Sequence, residues 1–418
     1  MTTATKPATK PAPERGLLRL LGPAFVAAIA YVDPGNVAAN LSAGATYGYL
    51  LLWVLVAANA MAVIVQYLSA KLGLVTGKSL PELLGARLKP ASRRLYWIQA
   101  ELVAAATDLA EVIGGALALY ILFGIPLLAG GVIVGAFSLL ILALQGRQQR
   151  AFEAVIMAML LIITFGFVGG LFVSDLDPAA MFAGLAPRFA DSQSVLLAAS
   201  MLGATVMPHA IYLHSSLARD RHGRDHGPGE SGAMRVRMLL RATKLDVILA
   251  LIVAGGVNIS MLLLAAASLP GVEGTDTIEG AAAAISEHLG PAVGVIFAIG
   301  LLVSGLASTS VGAYAGSEIM AGLLTIRVPL LARRMVTLLP ALILLGIGVD
   351  PTWALVVSQV VLSFGIPFAL IPLIKLTSRR GLMGEFANKL PLRLTALVVV
   401  ALIIGLNLWL LLSMALGL

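Results

Sequence analysis

Of the 418 residues, 59% are hydrophobic and only 12% charged, with mean hydropathy +0.97, against roughly 25% charged in a soluble domain, so the chain reads as an integral membrane protein. The net charge of +7 and pI near 9.8 do not indicate nucleic-acid binding, because the basic residues are scattered between apolar segments rather than gathered on one face. With no cysteine, a disulfide framework, a thiolate metal site and a thiol redox centre are excluded.

The first 16 residues, MTTATKPATKPAPERG, have no apolar core of their own and no small-residue cleavage site, so they read as a disordered cytoplasmic tail rather than a signal peptide. Residues 17–418 read as a single transmembrane domain. A bilayer-crossing helix needs about 20 mostly apolar residues, and eleven segments qualify: 17–43, 48–72, 95–122, 127–145, 152–174, 194–218, 245–268, 290–322, 330–349, 353–374 and 394–416. With the N-terminus inside and strict alternation, 27 of the 28 basic residues fall in inside segments and only Arg188 falls outside. That asymmetry is the positive-inside rule; one helix more or fewer would scramble every later loop, and the C-terminus is expected outside. The stretch from Asp220 to Met234 reads as a polar, Gly-rich inside loop, and the acidic stretch from Leu269 to Glu287 as a solvated outside loop.

The first apolar segment carries Asp33, Pro34, Gly35 and Asn36 at its middle. Pro34 removes a backbone donor and Gly35 frees the backbone, so the helix is expected to unwind there and expose carbonyls and two helix ends. Non-helical backbone at membrane depth is tolerated only where it is buried in protein or lines a cavity, and an acid so deep marks a functional position. A second interruption, Met207, Pro208 and His209, lies inside the sixth segment. Breaks in spans one and six divide the chain into two five-helix units, about 17–174 and about 194–374, with an extra helix at about 394–416. An odd unit length inverts one copy relative to the other, and two broken helices meeting at the midplane of inverted repeats is the plan of a secondary transporter.

The atoms at the breaks suggest the cargo. Asp33 offers an anionic oxygen, Asn36 a neutral one, Met207 a thioether, and the unwound turns offer backbone carbonyls such as those of Ala30 and Ala204. Sulfur among oxygens favours Mn²⁺ or Fe²⁺ over Mg²⁺ or Ca²⁺. Asp108 and Glu111, spaced i, i+3, share one face of an otherwise apolar helix and mark a polar path, the alternative being a structural ion pair with arginine. His209 titrates near neutral pH in its ordinary state. His214, five residues further on, does not share its face and reads as a gating or packing residue. Asn59, Gln66 and Asn258 read as interhelical hydrogen-bonding residues. An intramembrane metalloenzyme would need a set such as H-E-x-x-H or G-x-S-x-G, and neither is present. A carrier of amino acids or amines would use a half-helix N-terminus for a carboxylate, whereas Asp33 suits a cation.

DPGN at 33–36 and GATVMPHAIYLHSSL around 207–209 resemble the Nramp (natural resistance-associated macrophage protein) family of proton-coupled divalent metal transporters. The resemblance extends through QYLSAKLGLVTGKSLPELLG (66–85), TDLAEVIGGALAL (107–119), GLASTSVGAYAGSEIM (305–320) and SQVVLSFGIPFALIPLI (358–374), and covers essentially the whole chain after the tail. It implies an all-α, LeuT-like fold of 11 transmembrane helices with helices 1 and 6 broken. It also implies metal ligation by Asp33, Asn36, Met207 and the Ala30 and Ala204 carbonyls, with Gln359 joining in some states. A proton route through Asp33, His209, Asp108 and Glu111 is implied as well, with Arg333 and Arg334 as the basic partners of the two acids. Met207 is intact, unlike in members that carry Mg²⁺ or Al³⁺, while Ala39 stands where many members have threonine. The resulting expectation is a proton-coupled symporter importing Mn²⁺ and Fe²⁺, with Cd²⁺ and Co²⁺ as further substrates, across a bacterial inner membrane. It would act as a monomer, without a cofactor or catalytic residue.

Overall fold

In the computed structural model the described residues are 23–145, 149–222, 230–272, 274–275, 277–324 and 328–416. The tail at 1–16 therefore lies outside them, as does the start of the first span. Every described element is a helix. The first span is α1 (Pro23–Ala28), a 3-10 turn (Ile29–Val32) and α2 (Pro34–Tyr47); the second is α3 (Leu52–Thr76), followed by the short α4 (Leu80–Gly85). Then come α5 (Pro90–Phe123), α6 (Leu127–Gln145), α7 (Gln149–Leu171) and the short α8 (Pro178–Ala183). The sixth span is α9 (Ser192–Thr205) and α10 (Pro208–His222), followed by α11 (Glu230–Ser268), the connecting α12 (Ile278–Leu289), α13 (Pro291–Leu324), α14 (Leu330–Gly346) and α15 (Pro351–Thr377). A short α16 (Arg380–Met383) leads to α17 (Leu390–Leu416).

All eleven expected spans have helical counterparts. Two loop readings need correction. The stretch expected as a loop at 220–234 is helical at both described ends, in α10 and α11, and its middle, 223–229, lies outside the described residues. More than half of the acidic stretch at 269–287 belongs to α12, whose start is capped by the Thr277 hydroxyl accepting from Gly280 N at 3.1 Å. An apolar face of Ile278, Ala281, Ala282 and Ile285 is buried beneath it, so charge content alone misread an amphipathic surface helix as a loop.

The ends of the helices follow local rules. Ser79 and Glu82 form a reciprocal capping box on α4, and Gly77 and Gly124 close α3 and α5 in the left-handed conformation at φ 62° and 67°, which glycine adopts without strain. Packing divides the helices into two groups. One joins α2, α3, α10 and α11; the other joins α5, α6, α7, α13 and α14. In the middle, α1 packs on α10 and α2 on α9, so each half of one broken span lies against a half of the other.

Candidate functional site

DPGN is a helix start placed inside a span. Asp33 has extended backbone (φ −82°, ψ 168°), its side chain accepts from Asn36 N at 2.8 Å, and Pro34 occupies the first turn of α2. This is the preferred chemistry of an N-cap followed by proline, where no amide donor is missed. The other break is built alike: α9 ends at Thr205, capped by Val206, and α10 begins at Pro208, leaving Val206 and the fully buried Met207 between them. In both breaks the side-chain donor precedes the helix-starting proline, and the alanine of interest, Ala30 or Ala204, stands three residues earlier, in the final turn before the break.

The two breaks meet. Asn36 Nδ2 donates to Asp33 Oδ1 at 2.7 Å and to the Ala204 carbonyl at 3.1 Å, so an anionic oxygen from the first span and a helix-end carbonyl from the sixth converge on one point. From α15, Gln359 Nε2 reaches Asp33 Oδ2 at 3.4 Å. Asn36 Oδ1 and Gln359 Oε1 are buried acceptors with no hydrogen-bond partner among the described residues. Gly35 lies beside them, where a Cβ would run into the Gln359 side chain and force it to shift. Asp33, Asn36, Met207 and Gln359 are all 0% exposed and Ala30 and Ala204 are buried as well; the hydrogen bonds bring Asp33, Asn36, the Ala204 carbonyl and Gln359 together.

The carbonyls released by the first break are held by other helices. Asn258 Nδ2 on α11 donates to Tyr31 O at 2.8 Å, and Ser304 Oγ on α13 donates to Val32 O. Asn258 Oδ1 accepts from Asn40 Nδ2 at 3.2 Å. Gln66 bonds Tyr31 OH through Nε2 and lies 2.8 Å from His214 Nδ1 through Oε1, so Gln66 and Asn258 bond between helices as expected, and His214, expected to gate or pack, is tied to Gln66. Asn59 differs: it packs against Gly255, and its Oδ1 has no partner among the described residues.

Along α5 a polar face runs away from the break. At its inner end Gly114 lies against Pro34 so closely that a Cβ would collide with the ring. One turn back is Glu111, 1% exposed, neither of whose oxygens has a hydrogen-bond partner among the described residues; it faces Gly312 of α13. Asp108 Oδ1 stands 2.8 Å from Arg334 Nη1, an ion pair by distance whose angle misses that of a hydrogen bond. Beside it, Thr107 Oγ1 donates to Val103 O at 3.1 Å and lies 3.2 Å from His209 Nδ1. His209 Nε2 has no hydrogen-bond partner among the described residues. Arg333 departs from expectation: its Nη2 pairs with Glu101 at 2.7 Å rather than with Asp108 or Glu111. Neighbouring residues on a helix point about 100° apart, so Arg333 and Arg334 reach different acids. Glu101 was missed in sequence, although its place seven residues before Asp108 puts it on the same face, two turns away.

Known proteins resemble this chain in sequence and in fold. The profile of the family described as natural resistance-associated macrophage protein-like matches residues 24–413. A "divalent metal cation transporter MntH" of Mycobacterium tuberculosis is 62% identical over 371 residues, 88% of this chain and 85% of that protein. The protein of the same name from Bacillus subtilis is 48% identical over 400 residues, 95% and 92% of the two chains. Among solved structures, a manganese transporter of Eremococcus coleocola superposes with TM-score 0.84 at 30% identity, covering 97% of this chain and 89% of that one. MhsT superposes with TM-score 0.58 at 15% identity over 92% of this chain and 98% of its own, a likeness of fold alone, which is the LeuT-like one. With the family profile spanning all but the chain's two ends and relatives this similar along nearly its whole length, the chain belongs to the Nramp family.

Proposed function

We propose that this chain is a divalent metal cation transporter that imports Mn²⁺ and Fe²⁺ together with protons across the cytoplasmic membrane by alternating access, with its N-terminus inside and its C-terminus outside. It acts as a carrier rather than an enzyme. The observation that carries the reading is the convergence of the Asp33 carboxylate and the Ala204 carbonyl, from two separately broken spans, on a single buried point. A cation at that point gains from both: the carboxylate supplies charge, and carbonyls in the last turns of helices carry the negative end of the helix dipole. Asn36 Oδ1, Gln359 Oε1, the Ala30 carbonyl and the Met207 sulfur complete a mixed set. Hard ions such as Ca²⁺ and Mg²⁺ prefer all-oxygen shells, so the sulfur favours Mn²⁺ and Fe²⁺, and Cd²⁺ and Co²⁺ with them. The names of the relatives agree with the metal.

Metal binding expels protons from its ligands, and Asp33 is the ligand with a proton to give. His209, Asp108 and Glu111 offer a buried polar route from Asp33 along α5, with Arg334 and Arg333 holding its outer acids. Charged groups inside a membrane protein face one another or a path, and Glu111, with no salt bridge among the described residues, suits a group that carries a proton in part of the cycle. One polypeptide contains every element of this scheme, so a monomer suffices.

The test is Mn²⁺ uptake into proteoliposomes containing a pH dye, with parent protein, Asp33→Ala and Met207→Ala, and Ca²⁺ or Mg²⁺ as competitors. The parent acidifies the lumen as it loads metal, Asp33→Ala does neither, and Met207→Ala keeps uptake but lets the competitors in. Wild-type uptake by Asp33→Ala would move the metal site elsewhere, and uptake without acidification would remove the proton.

A further inference from the structure

Far from the metal site, at the end where α10 and α13 finish, one arginine lies among three carboxylates. Arg219, only 8% exposed, places Nη1 2.8 Å from Glu82 Oε2, Nη2 3.1 Å from Glu318 Oε2, and Nε and Nη2 at 2.8 and 3.0 Å from the carboxylate of Asp220. Asp220 is its neighbour in sequence, but Glu82 belongs to α4 and Glu318 to α13. These helices move as one body if they move at all: a Cβ on Gly85 would meet the backbone of Gly322, and one on Gly322 would meet Pro81. On the other side of the joint, α10 is fixed to α3, where Gly73 lies against the Ser215 carbonyl. The fork of Arg219 therefore crosses from the α3 and α10 group to the α13 group. A second crossing bond, Leu80 N to Ser215 Oγ at 2.9 Å, accompanies it.

The acceptor is prepared before the arginine arrives. Ser79 N donates to Glu82 Oε2 at 2.7 Å in the capping box. Burial opposes ionisation of Glu82, but the Ser79 N–H and the Arg219 guanidinium outweigh it and hold the carboxyl below its usual range. The two-point contact of the guanidinium is with Asp220, while Glu82 and Glu318 each take one of its nitrogens, an arrangement that the planar fork of arginine makes and a lysine does not.

We propose that Arg219, with Glu82 and Glu318, is the latch that keeps the inner mouth closed while the metal site is sealed, and that its release is required for metal to leave toward the cytoplasm. This rests on the alternating-access reading and on the proposed orientation. Opening between α10 and α13 separates the guanidinium from both acids, so the latch sets how often the inner mouth opens without touching the metal.

The chain has no cysteine, so a single reporter thiol needs no background removed. Ser216 is 0% exposed and lies three residues before Arg219, on the same face of α10. In inside-out vesicles, Ser216→Cys is expected to react with a maleimide about tenfold faster when Arg219→Ala or Glu318→Gln is added, as loss of a part-buried charge partner implies. Ala198→Cys, buried in α9, should keep its rate. Glu318→Gln keeps size and polarity, so it serves if Arg219→Ala does not fold. Unchanged Ser216→Cys labelling in both variants, or an equal rise at Ala198→Cys, overturns the latch. If labelling of the parent Ser216→Cys also ignores added Mn²⁺ and an imposed proton gradient, alternating access falls with it; if the parent responds to them, only the latch falls.

Discussion

Asp33 carries two duties that a substitution can separate. As N-cap of α2 it accepts from Asn36 N and Nδ2, and as a buried anion it is the charge in the proposed metal site. Asparagine caps a helix about as well as aspartate, whereas alanine at a cap costs about 1 kcal/mol. Asp33→Asn should therefore fold and melt like the parent yet bind no Mn²⁺ by calorimetry, while Asp33→Ala should lose binding and melt lower as well. Equal Mn²⁺ affinity in Asp33→Asn would show that the carboxylate is there for the helix alone. The same double use explains why the residue was legible from sequence: an acid, a proline, a glycine and an amide in the middle of an apolar run have no ordinary role in a lipid-spanning helix. Glu101 was not legible in the same way. A glutamate near the end of a span has many solvated uses, and only its partner Arg333, 232 positions away, reveals the one it has.

At the scale of helices, close approach decides what the middle tolerates. On α9, a Cβ at Gly203 would run into the Gln359 carbonyl and stand 2.8 Å from Ser363 N of α15, so neither neighbour can yield without moving backbone. Gly203→Ala should destabilise the protein by about 1–3 kcal/mol, the cost of overpacking, whereas Gly256→Ala on α11, with open space around it, should stabilise by about 0.5–1 kcal/mol through the ordinary helix preference. Thermal melts in detergent read both, and equal shifts would refute the packing argument. Sequence reading found the long helices because hydropathy runs have one meaning in a membrane protein; it missed α4, α8, α12 and α16, which are set by caps and by what lies beneath them. The opposite end of α9 offers a titration. Tyr47 OH donates to Asp191 Oδ1 at 2.5 Å, and with Ser194 N it holds the Asp191 carboxyl below its usual range. A depressed carboxyl contributes stability that is fully present above its unfolded value and lost as pH falls through the folded one. Tyr47→Phe should therefore melt below the parent near neutral pH, and the two melting curves should converge as pH drops below about 4.

For the molecule as a whole, charge is arranged along one axis. The basic residues fall on alternate loops all along the chain, which is what fixes the proposed orientation. The candidate site lies between the two sides, with Asp33 as the anion in its buried set of donors. A potential of about 100 mV, negative inside, is worth roughly 2.3 kcal/mol per inward charge. The metal alone therefore gains about 4.6 kcal/mol, and each accompanying proton adds about half as much. Since about 1.4 kcal/mol is a factor of ten, the potential by itself supports an accumulation of about three decades. Proteoliposomes given a potassium diffusion potential, with equal pH on both sides, should accumulate Mn²⁺ when the inside is negative and expel preloaded Mn²⁺ when it is positive, and the lumen should acidify only in the first case. Uptake indifferent to the sign of the potential would mean that another ion leaves as the metal enters. The chain would then exchange charge rather than import it, and the acids along α5 would need a different purpose from the inward proton route argued for them.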